Sequence, residues 1–226
     1  MKNVLTLCNL VGDVHIGCSA GYHLHLDGRN LQYKEVQKIW LLYRIFEGVL
    51  LAMLPNSRQD NRYCHPSNIT IDAIYSCYYG ALEDLWYSQG NDDYDREEQH
   101  HDTRYLGFNL HSYFYQNTIE IRYHSGTANF EKIINWIKIN QAITTYALSH
   151  SLDEIYQLKD LAQYTTNYSK IKKLFKSVIG SNRLWQYYKK RFGKFSGGSY
   201  EFGWYTKNKD FQNSNAVSET LEYSLV

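Results

Sequence analysis

The stretch GYHLHLDG, residues 21–28, alternates its side chains one by one. Successive side chains of an extended chain point to opposite faces, so this spacing predicts a β-strand over 21–27. His23, His25 and Asp27 would share one face, and Tyr22, Leu24 and Leu26 the other. Such a strand rests one side on a core and leaves two imidazoles and a carboxylate free for chemistry.

Upstream, MKNVLTLCNLV (1–11) reads as the end of a helix closed by Gly12, with a short strand at Asp13–Ile16. Downstream, YKEVQKIWLLYRIFEGVLLAML (33–54) repeats apolar residues every three or four positions. That period is a helix with a broad apolar stripe, and Pro55 stops it. A polar, basic loop, PNSRQDNRYCHP (55–66), follows. A short helix is expected around 70–87. QGNDDYDREEQHHD (89–102) then reads as a solvated acidic loop with His100 and His101 at its surface.

RYLGFNLHSYFYQNTIEIRYHSGT (104–127) has strong β character, with a turn signal at Gln116–Asn117. Folded as a hairpin about that turn, it pairs Tyr113 with Glu120, His111 with Arg122, and Asn109 with His124 on one polar face. The rest of the chain reads as helical. Expected helices are 130–150 with Asn129 as N-cap, 153–162, 168–179 closed by Gly180, and 181–193, before a polar, mobile tail over 196–226.

At 226 residues and 43% hydrophobic, the chain can bury one good-sized core. The expected division is a catalytic core over 1–150, a helical extension of the same domain over 151–195, and the tail. A net charge of +1 offers no field that argues for nucleic acid or a membrane surface. Cys8, Cys18, Cys64 and Cys77 form no CxxC pair, as expected of reduced structural thiols in a cytoplasmic protein. No apolar run is long enough to span a bilayer and no signal-peptide pattern is present.

Two strands thus carry polar faces: His23/His25/Asp27 and Glu120/Arg122/His124. A carboxylate and an imidazole on neighbouring strands can hold a divalent cation, while a guanidinium fork suits a phosphate or carboxylate. Arg58 and Arg62 in the loop and Arg104 before the hairpin add cationic groups. A metal with several arginines suits a polyphosphate substrate.

GYHLHLD, a helix leading into PNSRQDNRYC, and RYLGFNLHSYFYQNTIEIRYHSGTANFEKIINWI together resemble the amidoligase family, over roughly residues 2–150. The resemblance implies an α+β fold: an incomplete antiparallel sheet covered by helices on one face, with a glutamine synthetase-like core. It also implies an ATP- and Mg²⁺-dependent carboxylate–amine ligase working through an acyl phosphate on small-molecule or peptide substrates. By the same resemblance His23 and Glu120 are metal ligands, and Arg122, Arg58 and Arg104 are catalytic. The resemblance likewise implies that Arg62, Asn61, Asn109, His111, His25, His124 and Ser125 bind nucleotide or substrate.

Members of that family usually carry an acidic E-x-E strand ahead of the part matched here, and none is legible before residue 21. The expectation is a truncated ligase, a sheet completed by a partner chain or second copy, or lost activity. A non-catalytic peptide- or protein-binding module is the alternative. HLHLD superficially fits an H-x-H-x-D zinc motif, but Gly28 follows Asp27 where a further histidine would stand.

Overall fold

The computed structural model describes residues 20–59, 61–90, 96–159 and 167–195. It is a mixed α+β structure, mostly helical, around a small three-stranded antiparallel sheet. Strand β1 spans Gly21–Asp27 and alternates exposed and half-buried residues along its whole length, as its spacing predicts. It pairs with β3 (Thr118–Ser125), whose other edge takes the two-residue β2 (Phe108–Asn109), giving the order β1-β3-β2.

The long helix α1 (Tyr33–Ala52) opens on a capping box between Gln32 and Glu35 and buries most of its residues. Residues are buried nearly all round it, so it forms the axis of the core rather than a surface cover. Buried Gln37 is accommodated because its amide donates to the carbonyls of Ile74 (2.8 Å) and Cys77 (2.7 Å). The second long helix, α6 (Phe130–Ser149), starts at Asn129, whose side chain accepts from the Lys132 amide. It is tied to α1 where the Tyr43 hydroxyl donates to Asn140 at 2.6 Å. Ile119, Ile121 and Tyr123 of β3 are fully buried on the side of these helices.

Between α1 and α6 the chain breaks into short pieces. These are α2 (Asn56–Gln59), α3 (Ile71–Ser76), a 3₁₀ turn at Tyr79–Ala81, α4 (Leu82–Tyr87), a second 3₁₀ turn at Asp102–Tyr105, and α5 (His111–Gln116). The helix expected over 70–87 is thus interrupted at Cys77, which leaves the helical conformation (ψ 124°). After α6 come α7 (Leu152–Tyr156), α8 (Asn167–Lys173) and α9 (Asn182–Phe195). A π-helical turn at Leu174–Ile179 continues α8, and Gly180 at φ +65° closes it. One hydrophobic cluster runs from Val36 through Ile121 and Trp136 to Phe192, so the C-terminal helices share the core of the sheet.

Two parts of the expected hairpin are corrected. Residues 111–116 are helical: Tyr113 and Phe114 donate to the Leu110 carbonyl, and Asn117 closes the turn at φ +59°. A left-handed asparagine is a common helix terminator, so Gln116–Asn117 does reverse the chain, but from a helix into a strand. Glu120 therefore faces Asn109 of β2 rather than Tyr113. His101, expected at the surface, is only 2% exposed, with its Nδ1 2.9 Å from the Thr103 hydroxyl.

The second correction concerns β3 itself. Tyr22 pairs with His124, but Leu24 pairs with Ile121, so β3 has one residue more than β1 across this step. Such a bulge reverses the alternation beyond it. His124 consequently turns to the core side, 1% exposed, against Trp136 (5.2 Å between rings) and edge-on to Tyr22. The helix of 1–11, the strand at 13–16, Cys8, Cys18 and the tail over 196–226 lie outside the described residues. Cys64 is buried and Cys77 half-buried, both as free thiols.

Candidate functional site

Strand alternation sends Thr118, Glu120 and Arg122 of β3 to the side away from the core, beside His23 and His25 of β1. Glu120 is the hub. His23 Nδ1 lies 2.7 Å from its Oε1, and Arg122 Nη1 bridges both oxygens at 3.0 and 3.1 Å. The Asn109 amide donates to Oε2 at 2.7 Å, and His25 Nε2 stands 3.6 Å from Oε1. Glu120 is only 6% exposed. Burial by itself raises its pKa, but the His23 hydrogen bond, the Arg122 charge and the Asn109 amide outweigh it and hold the carboxyl at about 2. Glu120 is therefore ionised across the neutral range.

The bulge determines what Arg58 does. Its side chain, 1% exposed, donates from Nε to the Tyr123 carbonyl at 3.0 Å and from Nη2 to the Arg122 carbonyl at 2.5 Å. A bulge disturbs the ladder and leaves an extra residue unpaired; here a guanidinium fork takes two successive carbonyls at that point. Arg122 is held from several sides. Its amide donates to Gly107 O at 2.7 Å and its Nε to Tyr63 O at 3.3 Å. Gly107 has no room for a side chain, since a Cβ there would lie 2.1 Å from the Tyr123 ring.

A cationic rim continues from Tyr63. Arg62 lies over the Tyr63 ring, 4.6 Å from its centroid, with Nη2 2.5 Å from the hydroxyl. Tyr63 meets Tyr105 edge-on at 5.6 Å, and Arg104 lies over the Tyr105 ring at 5.6 Å while contacting His100. Asn61 shapes the turn by accepting from the Tyr63 amide at 2.9 Å. In the other direction a polar line leads from His25 Nδ1 to the Thr118 hydroxyl (3.0 Å) and on to Ser112 (2.9 Å).

The fold thus gathers His23, His25, Asn109, Glu120 and Arg122, and joins Arg62, Arg104 and Asn61 to them through Tyr63 and Tyr105. It does not gather three others. His124 is on the opposite face, where burial pushes its imidazole down to about 4. His111 sits in α5 with its Nδ1 2.8 Å from the Tyr87 hydroxyl, its ring beside His101. Ser125 ends β3 opposite Gly21. Asp27 also stays apart, hydrogen-bonded by Arg29, which holds its carboxyl at about 2. Thr118 and Tyr63 are the participants that the sequence did not single out. Thr118 could have been found, since it stands two residues from Glu120 on the same strand face.

Mg²⁺ takes near-octahedral oxygen ligands at close range, commonly one or two carboxylates with waters and substrate phosphates, and among the described residues Glu120 is the one carboxylate in the cluster. Both its oxygens already accept hydrogen bonds, and Arg122 places a positive charge against them. Among the described residues no group of three or more His, Cys, Asp or Glu side chains is arranged to hold a metal. His23 and Glu120 therefore do not by themselves make a protein-held Mg²⁺ site among the described residues. Nor, among the described residues, is any helix long and apolar enough to cross a membrane.

No curated protein and no solved structure matches the chain. A family model described as putative amidoligase enzyme matches residues 7–144. That stretch contains β1, helix α2 with Arg58, β2 and β3, and so every residue of the Glu120 cluster and its rim. The chain belongs to this amidoligase family.

Proposed function

We propose that the chain is a carboxylate–amine ligase, and that the sheet face centred on Glu120 is where an ATP-activated carboxylate meets an amine. One observation carries the reading: the buried Glu120–Arg122 pair leads directly, through Tyr63, into the rim of exposed Arg62 and half-buried Arg104. A rim of guanidinium groups suits the phosphates of a nucleotide, and the pair beneath it suits a fixed polar floor.

In the reaction a substrate carboxylate attacks the γ-phosphorus of ATP and ADP leaves. The amine then attacks the acyl carbon of the mixed anhydride, inorganic phosphate leaves, and the nitrogen gives up a proton. Arg122 would hold negative oxygen at the transferring phosphate, oriented by Glu120 and the Tyr63 carbonyl. Arg62 and Arg104 would neutralise the nucleotide phosphates. His25 is nearly half exposed at its side chain and anchored at Nδ1 by Thr118, so its Nε2 is placed to receive the amine proton. Mg²⁺ would enter with the nucleotide phosphates, and no step here rests on a protein-held ion.

Calorimetric titration with ATP, with Mg²⁺ and with chelator, tests this on wild type and on the Arg62→Ala/Arg104→Ala double variant. Expected is nucleotide binding weakened at least tenfold in the variant. Absence of binding to wild type would instead favour a non-catalytic peptide- or protein-binding module.

A further inference from the structure

The charge of the chain is not spread evenly. Between residues 167 and 195 there are nine lysines and arginines and no aspartate or glutamate. All 23 acidic residues lie elsewhere, with fifteen basic ones, a balance of −8. The near-neutral total conceals a strongly basic helical unit, made of α8, the π turn and α9, beyond the stretch that the family model matches.

Most of the unit's apolar residues are already used. Leu174, Phe175, Leu184, Tyr188 and Phe192 belong to the main core, and the large hydrophobic side chains exposed on the described surface all lie outside 167–195. What faces solvent is cationic, with Lys172, Lys176, Arg183, Lys189, Lys190 and Lys194 all exposed. Peripheral membrane helices sink an apolar face into the lipid, whereas every large apolar side chain on this surface is at least half-buried.

It has a slot with an aromatic wall instead. Lys172, Lys176, Gly180, Ser181, Asn182 and Trp185 line a cavity of about 310 Å³. Trp185 is half-buried, its ring steadied by Phe175 (5.7 Å) and Tyr168 (6.0 Å). Lys189 follows it by four residues, one turn along the same side of α9. Gly180, in the left-handed conformation, leaves open space where a side chain would stand.

We propose that this surface binds single-stranded nucleic acid, with a base stacked on Trp185 and phosphates on Lys172, Lys176 and Lys189. A cationic track interleaved with an aromatic platform is the general solution for unpaired strands, because every base has a face to stack. Duplex binding needs no stacking platform, and membrane binding needs a continuous apolar face. The inference stands apart from the ligase reading and shares no residue with it.

Fluorescence anisotropy of labelled dT and rU oligomers, about twenty nucleotides long, tests it on the full chain. Binding is expected to weaken about twentyfold between 50 and 200 mM salt, the slope for about three phosphates on a single strand. Lys172→Gln/Lys176→Gln/Lys189→Gln should lose at least tenfold in affinity and become nearly salt-independent. Lys34→Gln/Lys138→Gln, which removes charge elsewhere, should bind like wild type. Trp185→Phe should keep most of the affinity and Trp185→Ala lose about tenfold. The lysine variants alter exposed residues only, so the test survives if Trp185→Ala fails to fold. Three results would overturn the proposal: an unaffected lysine triple variant, blunt duplex bound as tightly as single strand, or binding to phosphatidylserine vesicles without binding to either oligomer. Preference between dT and rU separates DNA from RNA, and either supports the shared chemistry.

Discussion

Replacing Arg58 by methionine should destabilise the fold by about 3 kcal/mol without touching the cationic rim of Arg62 and Arg104. The side chain is 1% exposed and donates to two carbonyls at the bulge, at 3.0 and 2.5 Å. A buried acceptor stripped of its donor costs about 1–3 kcal/mol, so losing both costs roughly 2–6 kcal/mol. Removing a buried guanidinium also relieves its own desolvation, which offsets part of this, and methionine refills most of the volume. The balance is about 3 kcal/mol, or a fall in Tm of roughly 6–12 °C for a chain of this size. Arg58→Lys should rescue little, because an ammonium is a point donor and cannot reproduce the fork. Urea unfolding and thermal melts of the three proteins measure this. A methionine variant within 1 kcal/mol of wild type, or a lysine variant equal to it, would refute the idea that this guanidinium secures the bulge.

Glu120 and His124 should each leave a mark on stability at acid pH, in adjoining windows. The Glu120 carboxyl is depressed from 4.5 to about 2. Its contribution, up to about 3 kcal/mol, is complete above pH 4.5 and disappears as pH falls towards 2; Glu120→Gln should flatten that segment of a urea-unfolding series. His124 is pushed from 6.5 down to about 4 by burial, so between those values the unfolded chain binds a proton that the folded one does not. Stability therefore rises with pH across that window, and His124→Phe should remove the slope; an unchanged slope would show that another group causes it. Gly107→Ala drives a methyl into the Tyr123 ring and should cost about 2–3 kcal/mol by overpacking, as read by denaturant midpoint. A neutral result there would mean that the ring yields freely.

What could be read from the sequence was whatever repeats locally. β1 and both long helices were legible because their apolar periods are uninterrupted, and Asn129 was legible as a cap because its chemistry is local. Gly180 was readable for the same reason. The helix at 111–116 was hidden, since three aromatics in four positions favour a strand. What decides it is the Leu110 carbonyl and the left-handed Asn117, which no period encodes. The bulge had no local signature, so Glu120 and Arg122 were placed together with His124 although the fold separates them. Arg58 was visible as a cation near the site, but that it faces two carbonyls follows only once β3 has an extra residue. His101 looked solvated among acidic neighbours, and its burial beside Tyr87 depends on contacts distant in sequence.

The surplus residue in β3 also bears on how other members of this family can be compared with the chain. A relative whose third strand lacks it would keep the equivalents of Ile121 and His124 on the helix side, but two positions apart instead of three. Matched number by number without a gap at Arg122–Tyr123, such a relative would set its reaction-side residues against this chain's interior ones. A histidine conserved for packing on Trp136 could then be mistaken for one conserved for chemistry. The insertion and the buried arginine should also come and go as a pair, because a strand without the extra carbonyl has no seat for Arg58.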